Sequence, residues 1–409
     1  MLSNVIVVLV AVAAALLLFS RKLQTSATWQ ATVTPLASII GSGFLVSVPL
    51  LAGEVGNWSV FAMAALVGAA YLVGAVIRFN IRYAEPLFAE SALGKEPRLA
   101  ESLEKLSHFV LCFAYFISVT YYLVLLSNFL LNGIGITDSY LAKAITTAIL
   151  AALGGLGFFR GLGSVERVEK YAVAINLAVI AGLLGGLFWY NGQALAEGSW
   201  HLGQSGKPFT LHSVQVLLGL LIVVQGFETS RFMGDEYDAD TRIRTMRYAQ
   251  WISTVVYILF FVLMTVLFPL LGKDTGITAI ISLVSHVALV LPMMLTVGAV
   301  ASQFSASIAD SVGCAGLIEE IANRRISERH AYPLIALIAI GITWNADVFR
   351  IITLASQAFA LFYLVQACVA LAVAYDNRNL ANRTGLMALF AAVALFCLGV
   401  VLFGIPSGS

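Results

Sequence analysis

The sequence predicts an all-α integral membrane protein of about twelve transmembrane helices. Of its 409 residues, 60% are hydrophobic and only 11% charged, well above the roughly 45–50% apolar share of soluble domains. A window of about 20 residues, the length of helix that crosses a hydrocarbon core of ~30 Å, fits the chain about twelve times. The basic residues gather in alternate gaps between those windows, the asymmetry expected of loops on the cytoplasmic side.

The windows lie near 2–19, 33–52, 57–79, 107–132, 139–159, 171–191, 211–232, 248–272, 287–321, 331–345, 348–375 and 384–404. The first has no basic residue before it and no small-residue cleavage motif after it, so it reads as a retained helix and not as a signal peptide. The window near 287–321 is too long for one perpendicular crossing and must tilt or project. Nineteen basic residues flank alternate gaps: Arg21 and Lys22; Arg78, Arg82, Lys95, Arg98 and Lys105; Arg160, Arg167 and Lys170; Arg231, Arg242, Arg244 and Arg247; Arg324, Arg325 and Arg329; Arg378 and Arg383. Against them stand four: Lys143, Lys207, Lys273 and Arg350. That bias predicts both termini outside the cytoplasm, in a bacterial inner membrane.

Setting aside the first and last windows leaves ten, which divide into two groups of five of nearly equal length. Because five is odd, the second group must cross the membrane inverted relative to the first. The expected organisation is an extra N-terminal helix over 1–22, a first five-helix repeat over 30–192, an inverted second repeat over 210–376 and a C-terminal helix over 384–404. Inverted repeats place an interrupted helix at corresponding positions of the two halves.

Ser38-Ile39-Ile40-Gly41-Ser42-Gly43-Phe44 supplies one candidate interruption, with two glycines at mid-membrane. Backbone freed from a helical ladder cannot face lipid, since each unsatisfied polar group costs several kcal/mol there, so it must line a protected cavity. The alternative is that Gly41 and Gly43 only permit close helix packing. The matching position of the second half holds Gln225-Gly226-Phe227-Glu228-Thr229, a glycine and a carboxylate inside a membrane window.

Several classes are excluded. A formal net charge of +1 with scattered basic residues offers no nucleic-acid surface. Cys112, Cys314, Cys368 and Cys397 lie in apolar segments without metal-type spacing and read as buried thiols. The five histidines form no His-Glu-x-x-His, and no Ser/His or paired-Asp arrangement marks an intramembrane enzyme. No carbonyl-filter loop marks a channel. No phosphate-binding loop is present, so any transport is driven by a gradient.

Ile40-Gly41-Ser42-Gly43-Phe44-Leu45-Val46, with Gly226-Phe227-Glu228 and Gly234-Asp235-Glu236 in the other half, resembles the motifs of the amino acid–polyamine–organocation (APC) superfamily. Those permeases have the LeuT-type fold, in which the first and sixth core helices are broken. The resemblance implies a secondary-active, cation-coupled transporter of an amino acid or related amine, and no enzyme activity. A LeuT-type carrier of a metal or other inorganic ion is the alternative, although it would show Asp-Pro-Gly-Asn and Met-Pro-His at these positions. A half-helix starting after Gly43 would aim free N–H groups at an anionic group, and the other broken helix would offer carbonyls to a cation.

The substrate-binding residues so implied are Ser38, Ile39, Gly41, Ser42, Gly43, Gln225, Gly226, Phe227, Glu228 and Tyr121, with Tyr122 and Asn128 as further wall residues. Glu228 either meets an amine or proton or is held by unwound backbone. Ser307, Asp310 and Ser311 share a helix face by their spacing. Together with Ala37 and Ile40 they are the cation-coupling residues, where Na⁺ is the one bound group expected. Proton coupling through Asp310 is equally compatible with the sequence, as is a carboxylate held by a neighbouring hydroxyl or Arg. Matching Arg167-Val168-Glu169-Lys170 to the entry of the fifth core helix puts Asn176 where some proton-coupled members have a lysine.

Overall fold

A computed structural model describes residues 2–91, 99–201, 208–271 and 276–407; the side chains of Ser42, residues 89–91 and residues 163–170 also lie outside the described set. Among the described residues all regular structure is helical. Twelve units coincide with the twelve windows: α1 (Leu2–Leu18), α2 (Ala27–Val55), α3 (Ser59–Phe79), α4 (Leu99–Gly133), α5 (Ser139–Arg160), α6 (Gly163–Ala196), α7 (Leu211–Gly219, continued by 3₁₀ turns over Leu221–Val224 and Phe227–Phe232), α8 (Ala239–Met264), α9 (Leu291–Ile321), α10 (Glu328–Asn345), α11 (Val348–Asp376) and α12 (Arg383–Phe403).

Several helices begin at side-chain caps, which satisfy N–H groups that have no partner within the helix. Ser26 Oγ accepts from Trp29 N at 3.3 Å before α2, and Asp138 Oδ1 from Tyr140 N at 2.8 Å before α5. Asp347 does the same for α11. Ahead of α8, Asp238 accepts from Thr241 N at 2.7 Å, and that bond holds its carboxyl below the ordinary aspartate range. The caps fall in loops between windows, where the backbone needs them.

Four pairs of helices five apart in the chain pack on one another. α4 lies against α9, α5 against α10, α3 against α8, and α2 against the 3₁₀ turns that follow α7. α1 stands outside this set and packs on α6, where Gly182, Gly185 and Gly186 leave room for Ala11, Val10 and Val7. Small residues are the usual means of close approach in membranes, where no hydrophobic force acts between helices. α12 packs against α11.

One expected interruption is present and the other is not. The second half is broken between Gly219 and Phe232, as Gly226 predicts. The first core helix is continuous from Ala27 to Val55, through Gly41 and Gly43 and with Pro35 and Pro49 inside it. Gly41 and Gly43 are used for approach and not for unwinding. A Cβ at residue 43 would lie 2.6 Å from Val223 Cβ and 2.7 Å from Val223 Cα, and one at residue 41 would lie 3.1 Å from Ser302 Oγ. The expectation of a broken first core helix is therefore corrected, and at Gly43 α2 lies directly against Val223 of the broken segment. The cavities lie on the other side of α2.

Candidate functional site

The interruption after α7 is built from groups that take up the freed backbone. Ser356 on α11 spans the gap: its hydroxyl donates to Gly219 O at 2.8 Å and accepts from Ile222 N at 2.9 Å. Gly226 has φ +120°, a conformation open to glycine and strained for any L side chain. Its N–H donates to Glu228 Oε2 at 3.0 Å and its carbonyl accepts from the Thr229 hydroxyl at 2.8 Å. Tyr257 on α8 places its hydroxyl within reach of the carbonyls of Ile39, at 3.2 Å, and Val223, and so ties α2 to the unwound chain.

On the opposite side of α2 a cleft with about 400 Å³ of empty volume opens between α2, α6 and α9 and the end of the broken segment. Thr34, Ala37 and Ser38 line it from α2, Val173 from α6, Thr229 from the 3₁₀ turn, and Ser302, Ser305, Ala306, Ala309 and Asp310 from α9. The α9 residues fall at intervals of three and four, one stripe of a helix. Asp310 is the charged group among the described lining residues, and its carboxylate accepts from the Ser118 hydroxyl of α4. A neighbouring cavity shares Ser302 and runs along α2 past Ile40, Gly41 and Gly43 to Val46. Another, largely apolar, shares Thr34 and Val173 and leads to Leu18, Gln24 and Trp29 beside the α1–α2 loop. The three cavities follow one another along α2, neighbours sharing lining residues.

Of the residues expected to bind substrate, Ser38 lines the cleft, while Gly41 and Gly43 line the adjoining cavity. Ile39 is buried, with its carbonyl facing Tyr257. The Ser42 side chain lies outside the described set. Gln225, Phe227 and Glu228 do not line the cleft; they pack inward against α4 and α11. The Gln225 amide donates to Tyr122 Oη at 3.2 Å, the Phe227 ring stacks on Tyr363 at 5.4 Å, and Glu228 Oε2 accepts from Tyr363 Oη at 2.6 Å. Tyr121 is fully buried beside Tyr122.

Of the expected cation-coupling residues, Ala37 and Asp310 meet in the cleft and Ile40 lies in the next cavity. Ser307 and Ser311 return their hydroxyls to their own helix, to Phe304 O at 2.7 Å and Ser307 O at 2.6 Å. Ser311 faces a separate cavity among α4, α5 and α10. The serines that accompany Asp310 are Ser302 and Ser305, which the 302–305–306–309–310 periodicity marks. Thr34, Thr229, Ser118 and Gln303 carry no comparable sequence signal.

A charge network lies where α4 begins and α9 ends. Arg231, just past the broken segment, meets Glu104 at 2.8 Å and donates to Gln366 on α11. Glu104 also meets His108 at 3.0 Å and accepts from Gln366 Nε2 at 3.0 Å, and His108 reaches Glu320 of α9 at 3.2 Å. Arg242 of α8 holds Glu85 at 2.6 Å and the Arg231 carbonyl at 2.8 Å. Each residue of this cluster has a partner from a different helix, which ties α4, α8, α9 and α11 to the broken segment.

A family model described as APC superfamily transporter matches residues 21–404. An uncharacterized protein of Aquifex aeolicus (strain VF5) is 42% identical over 367 residues, covering 89% of this chain and 88% of that protein. Among solved structures, a nucleobase-cation-symport-1 family transporter in a closed conformation with bromovinylhydantoin bound is similar with TM-score 0.54 and 13% identity, over 90% of this chain and 91% of that one. The substrate-bound outward-open state of a Na⁺-coupled sialic acid symporter is similar with TM-score 0.52 and 14% identity, over 100% and 98%. At such identities the two structures speak to the fold, which is of the LeuT type.

Proposed function

Because the chain belongs to the APC superfamily of transporters, and is thus an integral membrane transporter and not an enzyme, we propose that it moves an amino acid or related small amine-bearing solute by alternating access, coupled to Na⁺ or H⁺. The observation that carries this reading is the cleft of α2, α6 and α9. It presents hydroxyls from Thr34, Ser38, Thr229, Ser302 and Ser305 and one carboxylate, Asp310, to a space of about 400 Å³. A carboxylate within a membrane span is by default a functional group. An ammonium group of the solute or a coupling cation suits its charge, and the hydroxyls supply hard oxygen ligands or acceptors beside it.

The pairing of α2 with the broken segment, α3 with α8, α4 with α9 and α5 with α10 supports two inverted repeats, over 30–192 and 210–376, since helices five apart meet across the axis that relates such halves. The nineteen-to-four distribution of basic residues supports an inner-membrane protein with both termini outside the cytoplasm. In that orientation the tract past Thr34 and Val173 to the α1–α2 loop leads from the cleft toward the cytoplasm.

Uptake into proteoliposomes tests the proposal. Radiolabelled amino acids and amines are supplied with an imposed Na⁺ gradient, with an imposed pH gradient and with neither. Accumulation of an amine-bearing solute under one of the two gradients is expected. Gradient-driven accumulation of solutes without an amine, and of none with one, would overturn the substrate assignment.

A further inference from the structure

The cavity adjoining the cleft holds a feature that the packing does not explain. It has about 260 Å³ of empty volume and is walled by α2 from Ile40 to Val46, by Ala299, Ser302 and Gln303 of α9, and by Asn176 of α6. Among the described residues no charged side chain lines it. Gln303, 6% exposed, donates its Nε2 to Gly41 O at 2.9 Å, while its Oε1 has no hydrogen-bond partner among the described residues. The amide orientation is set by that carbonyl, which accepts only, so the nitrogen must face it and the oxygen faces away. Asn176, 9% exposed, makes no side-chain hydrogen bond among the described residues, and its Oδ1 lies 3.3 Å from where a Cβ on Gly298 would sit. Burying an amide oxygen without a donor is costly, so an orphan of this kind marks a group that finds its partner elsewhere.

We infer that Gln303 and Asn176 form a subsite for an uncharged N–H/C=O group of the transported solute, a carboxamide or ureide edge. This inference rests on the reading that the adjoining cleft binds the solute. Gln303 Oε1 requires a donor, and the Asn176 amide offers a donor and an acceptor on one plane; an N–H next to a C=O satisfies both residues. A bare ammonium would leave the amide N–H groups unmet, and a carboxylate would face Oε1 with no donor. Ser302 belongs to both cavities. Gln303 and Asp310 are seven residues apart on α9, roughly 10 Å along a helix axis, so a solute with an ammonium at Asp310 and an amide at Gln303 has the reach of a small carboxamide-bearing amino acid.

The test is ligand-induced thermal stabilisation of the purified full chain. The probes are L-glutamine, its apolar counterpart L-norleucine, L-lysine and uracil, each with and without Na⁺. The expected result is stabilisation by L-glutamine at concentrations at least tenfold lower than L-norleucine or L-lysine requires. Gln303→Met and Asn176→Leu should each remove that preference and leave the response to L-norleucine as in the parent. Because Gln303 also holds Gly41, Asn176→Leu decides the matter should Gln303→Met unfold. Equal responses to L-glutamine and L-norleucine, or variants that keep the preference, overturn the subsite and leave the amino-acid reading standing. Stabilisation by uracil alone, lost in both variants, keeps the subsite and overturns the amino-acid reading. A response to Na⁺ alone that both variants abolish makes this a cation site and overturns the inference, and silence toward all four probes overturns both.

Discussion

Tyr363 on α11 donates its hydroxyl to Glu228 Oε2 at 2.6 Å, and the same oxygen accepts the N–H of Gly226 at 3.0 Å. Of the two roles the sequence leaves open for this carboxylate, contact with an amine or proton and capture by unwound backbone, these bonds are of the second kind: they close the unwound segment on itself and fasten it to α11. Glu228→Gln keeps an oxygen for both donors, and we expect it to retain the melting temperature and transport rate of the parent to within a small margin. Glu228→Ala strands a buried N–H and a buried hydroxyl, at a cost of ~1–3 kcal/mol for each group left unsatisfied, and should melt earlier. Thermal unfolding in detergent, read beside uptake, checks both. A Glu228→Gln protein that folds as the parent and does not transport would return the residue to the chemistry of the cycle.

Gly43 and Gly41 separate by what a methyl group would meet. At residue 43 it would collide with the Cα and Cβ of Val223, which cannot swing away; at residue 41 its nearest neighbour is the Ser302 hydroxyl at 3.1 Å, which can turn. Gly43→Ala should lower stability by ~1–3 kcal/mol, the usual range for overpacking, while Gly41→Ala costs clearly less. Adding Val223→Ala should not restore Gly43→Ala, because the colliding atoms remain. Melting temperatures of the four proteins decide it, and full rescue would show that α2 and the broken segment are less tightly joined than described.

The same two glycines show where sequence reading stops. Twelve windows and the charge alternation are legible because the bilayer imposes them on every span independently, and the twelve helices follow. Gly226-Phe227-Glu228 is legible as a break because a positive φ requires glycine and the freed N–H requires an acceptor close in sequence, which Glu228 supplies two residues on. Gly41-x-Gly43 answers equally well to unwinding or to close packing. What selects between them is the position of Val223, 180 residues away in the chain. The serine-rich run from Ser302 to Ser311 likewise offers more than one helix face, and only the packing of α9 against α4, α6 and α10 decides that Ser302, Ser305 and Asp310 look into the cleft while Ser311 looks toward α5 and α10. Gln303 is invisible to sequence reasoning, since what marks it is an oxygen with no hydrogen-bond partner among the described residues.

Arg231 and Glu104 form the centre of the charge network, 2.8 Å apart, with Gln366 bridging them and His108 against Glu104. Removing one member of a buried ion pair leaves its partner uncompensated, a loss of ~3–5 kcal/mol. Arg231→Met should therefore destabilise the protein strongly, and Glu104→Gln likewise. The double variant should lose less than the two single losses added together, since neither charge is then left alone. Strict additivity in the double-mutant cycle, measured by thermal or denaturant unfolding, would mean that the two residues act independently.

Asp310 accepts from Ser118 and faces the cleft, and its role divides by what replaces a lost charge. Asp310→Asn keeps an oxygen that can accept from Ser118 and removes the negative charge, so the fold should survive. If the carboxylate pairs with Na⁺, the variant loses Na⁺-dependent binding by at least tenfold, because a neutral amide oxygen offers the ion no charge. If it carries a proton through the cycle, Na⁺-independent binding stays intact and the pH dependence of uptake flattens, since no group then gains or loses charge at this position. If it pairs with the ammonium of the solute, binding of amine-bearing solutes falls in Na⁺ and in its absence alike. Equilibrium binding and uptake, each measured across pH and with Na⁺ replaced by choline, separate the three. A variant with parental affinity, Na⁺ response and pH profile would remove Asp310 from transport altogether and leave it as a polar link between α4 and α9.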